Sequence, residues 1–156
     1  TYAQNEVGEN APFDPEDAYC TPPGFADVDT VVFAVGTQWC PNCPHLFGVL
    51  AENSDTVYSN RGLIAWLEIQ NPQYGPVGTE SAAVTINQQA GASRGYRLGD
   101  ASTLPTPNTF INIAPLPSFP AFMVVRTSDM RIISPWITLP ERLLKYVEDP
   151  ASQDPN

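Results

Sequence analysis

Hydrophobic positions along this chain fall into two near-continuous runs and several periodic ones. Residues 30–35 read TVVFAV and residues 63–69 read LIAWLEI. Short apolar runs rich in β-branched residues, with no alternation, are the pattern of strands buried on both faces. Between them, from about Cys40 into the low fifties, Leu46, Phe47 and Leu50 recur at helical spacing and predict an amphipathic helix. Residues 71–78 hold Pro72, Gly75, Pro76 and Gly78, which enforce a loop. Residues 79–90 read as a short helix with Thr79 or Ser81 as its cap. Proline is too dense over residues 104–120 for a helix. The runs AFMVVR (121–126) and MRIIS (130–134) flank the turn Thr127-Ser128-Asp129 and predict an antiparallel hairpin. Thr138-Leu139-Pro140-Glu141 has capping-box spacing, and Leu139, Leu143 and Val147 form the stripe of a closing helix.

Strand and helix thus alternate and then give way to a hairpin, which predicts an α/β domain with a mixed sheet and no internal repeat. The domain is expected over residues 26–148. Ahead of it, residues 1–24 carry Glu6, Glu9, Asp14, Glu16 and Asp17, no Lys or Arg, and Pro12, Pro15, Pro22 and Pro23. That composition predicts an acidic, proline-rich arm over 1–25, extended or disordered, resting on the domain through Phe13, Tyr19 and Phe25. The tail over 149–156 reads as disordered in the same way.

Composition narrows the partners. With 42% hydrophobic residues in 156, one domain of this size buries a real core. A net charge of −10, with seven Lys and Arg spread along the chain, excludes nucleic acid and anionic membrane surfaces. No apolar run approaches the ~18–20 residues of a membrane span. The first residue is Thr1 rather than Met, the mark expected of a processed or trimmed chain.

Three cysteines are too few for a disulfide framework. Cys40 and Cys43 are the pair that carries chemistry. They follow the first buried strand and open the first helix, where unpaired N–H groups and the positive end of the helix dipole stabilise a thiolate. A thiol so placed falls below its ordinary pKa of ~8.5. Pro41 and Pro44 sit where a missing N–H costs least, and Trp39 is expected to shield one side while leaving Cys40 open at the surface. Placement at a strand-to-helix junction favours a redox pair. Two alternatives stand beside it: a zinc set of Cys20, Cys40, Cys43 and His45, and a structural staple, although so short a loop constrains the unfolded chain little. Cys20 by itself reads as a free thiol. Gly91–Gly95 lacks a phosphate cradle, so nucleotide binding is unsupported.

The run TVVFAV followed by WCPNC opening a helix, with Ser118-Phe119-Pro120 leading into AFMVVR, resembles the thioredoxin-like superfamily over roughly residues 26–148. The insertions near 71–80 and 100–117 are similar to its extracytoplasmic and peroxiredoxin-related branches. The resemblance implies a three-layer α/β fold, a central mixed sheet flanked by helices, with an N-terminal extension and insertions. It implies thiol–disulfide exchange on protein disulfides, with Cys40 as nucleophile and Cys43 as resolving thiol. Pro120 takes the place of the family's cis-proline beside the pair. Trp39, Pro41, Asn42 and Phe119 would border the substrate, and no cofactor or metal would be required. Protein thiols and disulfides, with a separate redox donor or acceptor, are the partners implied.

Two departures from the family pattern matter. The dipeptide between the cysteines is Pro-Asn, and the first strand lacks the buried acid that relays a proton. Glu68 or Glu80 is the candidate to replace it, against the alternative of an ordinary solvated carboxylate. A peroxidase reading rests on half a motif: Thr37 lies three residues before Cys40, but Phe33 stands where proline belongs. Its thiolate-holding arginine would be Arg94, Arg97 or Arg126.

Overall fold

The computed structural model describes residues 27–69, 80–99, 118–134 and 136–151. Along these the chain forms β1 (Thr30–Gly36), α1 (Cys43–Glu52), α2 (Ser54–Ser59), β2 (Gly62–Glu68), α3 (Glu80–Gln89), β3 (Tyr96–Gly99), β4 (Ala121–Arg126) and β5 (Arg131–Ile132). A 3-10 turn (Pro140–Leu143) then leads into α4 (Leu144–Glu148). The acidic arm, Cys20, the loop over 71–78 and residues 100–117 lie outside the described residues.

The sheet is mixed, in the order β3-β2-β1-β4-β5. β1 and β2, the two near-continuous apolar runs, take inner positions, and every residue of each is buried. β1 runs parallel to β2 and antiparallel to β4. Side chains alternate between faces. Val32, Ala34, Ile64 and Trp66 point to the face that carries Phe47, Leu50, Val57, Ile86, Leu143 and Tyr146. All the described helices contribute to that cluster or continue from a turn that does. Val31, Phe33, Val35, Leu63, Leu67 and Met123 form the second cluster on the opposite face. Phe47 knits α1 to the sheet, with ring centroids 5.2 Å from Trp66 and 6.0 Å from Phe122.

Several elements differ from the sequence expectation. β3 carries no strand signal in the sequence: YRLG is only four residues long, and in the fold it is half-buried. It forms because the backbone before it is tied to β2: the indole N–H of Trp66 donates to the Arg94 carbonyl at 2.7 Å. The Arg97 guanidinium donates to the carbonyls of Gly95 and Ala92. β5 is two residues long rather than five. The N–H of Val124 donates to the Ser134 hydroxyl at 2.7 Å, so a side chain replaces the ladder's carbonyl. The Ile133 N–H still donates to the Val124 carbonyl at 2.9 Å, and the next bridge is Ile137 opposite Phe122. The capping box does not form either. Leu139 is the cap residue, extended and without a side-chain bond, and Pro140 occupies the first position of the turn.

Gly95 is where the fold least tolerates a side chain. Its φ is +104°, and an added Cβ would lie 2.5 Å from Trp66 Nε1 and 2.6 Å from the Ile64 carbonyl oxygen. Gly95→Ala is expected to destabilise the protein by about 2–4 kcal/mol through strain and overpacking. Urea denaturation with an unchanged m-value would register this as a lower midpoint.

Candidate active site

β1 ends at Gly36 among three groups that the sequence keeps far apart. Gly36 pairs with Glu68 in β2. On its other side β4 begins with Ala121 opposite Val35, so Pro120 falls at the next position of the register, beside Gly36. Above it, a Cβ built on Gly36 would lie 3.3 Å from Cys43 Sγ and 2.8 Å from Phe47 Cζ. The second cysteine therefore rests on a bare backbone, at the strand end whose register neighbours are Glu68 and Pro120. The peptide bond from Phe119 to Pro120 is cis.

Cys40 and Cys43 form a disulfide, with Cα atoms 5.4 Å apart. The helix starts at Cys43, three residues later than expected. Pro41 disfavours helical backbone at Cys40, so the chain first makes a turn in which the Cys43 N–H donates to the Cys40 carbonyl at 3.3 Å. Cys43 is fully buried; Cys40, expected to be open, is 6% exposed and still the more accessible of the two. Pro41 and Asn42 are exposed on the connecting turn. Trp39 is 42% exposed and meets Phe119 edge-on at 5.6 Å, bringing together the residues just before Cys40 and just before Pro120. Five of the residues singled out from the sequence thus converge: Trp39, Cys40, Cys43, Phe119 and Pro120.

Glu68 is a buried acid, 4% exposed, rather than a solvated one. Strand parity aims it, like Trp66, at the helix-bearing face where Cys43 lies. The Gln38 N–H donates to its Oε1 at 2.5 Å, while Oε2 is buried without a hydrogen-bond partner. Burial pushes its pKa up from 4.5 to about 7, against the opposing effect of the Gln38 bond. Glu80 is the first residue of α3, and its side chain lies outside the described residues. The signal for Glu68 was present in the sequence as a lone acid inside a buried strand.

The alternatives find less support. Among the described residues no group of three or more His, Cys, Asp or Glu is placed to hold a metal, and His45 is exposed. Thr37, three residues before Cys40 where the peroxidase motif places its threonine, is buried. The arginines are engaged elsewhere. Arg94 pairs with Asp55 and stacks on Tyr58. Arg97 is held by backbone carbonyls. Arg126 pairs with Asp129 at the end of β4 that faces Thr30, away from the cysteines.

Glu68 makes stability depend on pH with a definite sign. The unfolded carboxyl loses its proton near 4.5, whereas the folded one holds it to about 7. Glu68 therefore favours the fold fully below pH 4.5, and that contribution is lost as pH rises to about 7. The expected loss is about 3 kcal/mol at most. In Glu68→Gln this component disappears, so the wild-type-minus-variant difference in unfolding free energy should fall across that window. A difference independent of pH between 4.5 and 7 would show that Glu68 is not held protonated.

No protein-family model matches the sequence, nor does any curated protein. Solved structures do. One is the thioredoxin domain of a thiol-disulfide oxidoreductase from Bacteroides vulgatus, with TM-score 0.58 at 11% identity over 78% of this chain and 79% of that one. A thioredoxin-like protein from Aeropyrum pernix has TM-score 0.58 at 13% identity, covering 78% and 77%. A secreted disulfide oxidoreductase from Mycobacterium tuberculosis has TM-score 0.51 at 14% identity, covering 76% and 80%. Identities this low speak for architecture: the chain has a thioredoxin-like fold.

Proposed function

We propose that this protein is a thiol–disulfide oxidoreductase that exchanges its Cys40–Cys43 pair with disulfides and dithiols of protein substrates. The observation that carries the reading is the disulfide itself, lodged at the end of β1, whose register neighbours are Glu68 and Pro120. A purely structural crosslink would need none of these neighbours.

In the reducing direction, the Cys40 thiolate attacks one sulfur of a substrate disulfide. A mixed disulfide forms, and the first substrate sulfur leaves as a thiolate. Cys43 then gives its proton to the Glu68 carboxylate and attacks Cys40 Sγ. The Cys40–Cys43 bond forms and the second substrate sulfur departs, taking a proton from solvent. Two electrons pass from the dithiol to the substrate, and no cofactor is required to hold them. A group with pKa about 7 suits this transfer, since it accepts and returns a proton near neutral pH. Run backwards, the same steps oxidise a substrate dithiol.

Trp39 and Phe119 supply an apolar, partly exposed rim to receive the chain around the substrate disulfide, with Pro41 and Asn42 exposed beside it. Pro120 carries no N–H, which leaves the substrate backbone to pair elsewhere and shapes the groove. An extracytoplasmic, periplasmic setting with a separate redox donor or acceptor fits best. The Mycobacterium tuberculosis neighbour is described as secreted, and the chain is acidic and poor in lysine.

Two measurements test this. Equilibration in dithiothreitol buffers, with alkylation and mass readout, should give a reversible two-electron midpoint between about −120 and −270 mV. A pair that stays oxidised well below about −300 mV is a staple, and the proposal goes. Kinetically, Cys40→Ser should abolish turnover of a small disulfide, and Cys43→Ser should accumulate the mixed disulfide. Glu68→Gln should slow resolution about tenfold to a hundredfold near pH 7 while leaving the first attack intact. Equal resolution rates in wild type and Glu68→Gln would remove the carboxyl from the mechanism.

A further inference from the structure

A groove of about 260 Å³ runs between residues 136–139 on one side and Arg142, Lys145 and Tyr146 on the other. We propose that it binds an acidic segment of the protein substrate, anchored by an apolar side chain, next to the redox pair. The assignment of the bound segment as substrate rests on the oxidoreductase reading; the binding itself does not.

Position is the first argument. Ile137 exchanges two backbone hydrogen bonds with Phe122, at 2.8 and 2.9 Å. Phe122 lies two residues beyond Pro120, so one wall of the groove is the strand-like neighbour of the segment that carries the cis-proline. The opposite wall starts from the 3-10 turn, which packs against α1, the helix that begins at Cys43. The groove thus borders the β4 segment that follows Pro120.

Charge is the second. Only seven residues of the chain are Lys or Arg, against seventeen Asp and Glu. Two of the seven, including the one lysine, line this groove, and both are exposed. Neither makes an ion pair among the described residues, whereas Arg61, Arg94 and Arg126 do. Across a molecule of net charge −10, acidic partners meet repulsion that salt screens beyond ~8 Å. At this groove they meet two unpaired cations at contact distance, where screening is weakest. The electrostatics therefore select where an acidic segment docks as well as whether it does.

The lining chemistry gives the anchor. Leu139 is 43% exposed, Trp136 is half-buried, and the Lys145 ammonium lies 4.5 Å from the centroid of the Tyr146 ring. The volume is below the ~300–1,000 Å³ usual for small-molecule sites. It accommodates side chains of a passing segment better than a whole metabolite.

The test uses the full chain and two fluorescent, cysteine-free peptides, each a leucine flanked by charged residues. One carries glutamates and the other lysines in the same places. Wild type should bind the glutamate peptide at least about tenfold more tightly than the lysine peptide at low salt, with the preference shrinking as salt rises. The double variant Arg142→Glu/Lys145→Glu should lose or invert that preference. Arg142→Gln/Lys145→Gln, gentler on the fold, should abolish it without inversion. Far-ultraviolet circular dichroism checks that both fold. Equal affinities in wild type, or a preference that survives both variants, would overturn the groove. So would self-association that disappears in the variants while neither peptide binds, which assigns the groove to a second copy. Turnover of neutral hydroxyethyl disulfide by wild type is measured separately. Its absence alongside a clear peptide preference would sink the oxidoreductase reading and leave the acidic-segment site standing.

Discussion

The absence of a side chain at Gly36 is the constraint around which this site is built. Cys43 Sγ and the Phe47 ring both occupy space that any Cβ at Gly36 would claim. Phe47 in turn touches Trp66 and Phe122, so the same close approach that seats the cysteine also seats α1 on the sheet. A larger residue there would push the helix away from β1 and separate Cys43 from Glu68 and Pro120 together. Packing at interior density leaves no slack for such a shift. Site geometry and core packing are therefore one problem in this protein.

Glu68 shows what the site costs the fold. An acid that is 4% exposed, with one oxygen unpartnered, is a poor choice for stability. A glutamine would keep the bond from the Gln38 N–H without the penalty of a buried charge. What glutamate offers is a proton that leaves and returns near neutrality. The Gln38 bond also ties the carboxyl to the turn that bears Trp39 and Cys40. Proton state and the placement of the turn before Cys40 are thus linked through a single hydrogen bond. Charge plays a different part at the surface. There a strongly acidic chain leaves its few cations sparse, and two of them face one groove.

Much of the fold could be read from the sequence because its signals are local. β1 announces itself as a β-branched run and β2 as an apolar run broken only by Glu68, and the cysteine pair is fixed by chain order at the junction of β1 with a helix. Phe119-Pro120 was placed by its order before AFMVVR, and it proves to be cis and beside Gly36. Where local signals are weak or compete, the fold departs from them. YRLG became a strand only because Trp66 and Arg97 hold the backbone ahead of it. The spacing of Thr138 and Glu141 suggested a cap, but Pro140 set the start of the turn at its own position. The helix after Cys40 began late because Pro41 restricts the residue before it.

The sequence by itself determined where the cysteine pair and the proline before AFMVVR fall along the chain, and most of the order in which strands and helices follow one another. Periodicity, proline and glycine act within a few residues, and those effects are written in the chain. Tertiary structure alone decided the environments. Glu68 is in the sequence only one of two candidate acids, beside Glu80, until the register sets it beside Gly36 and parity turns it toward Cys43. Cys40 looks exposed until the turn and its neighbours cover all but 6% of it. Burial, proton affinity and proximity depend on atoms brought together from distant parts of the chain, and only the packed sheet and helices bring them there.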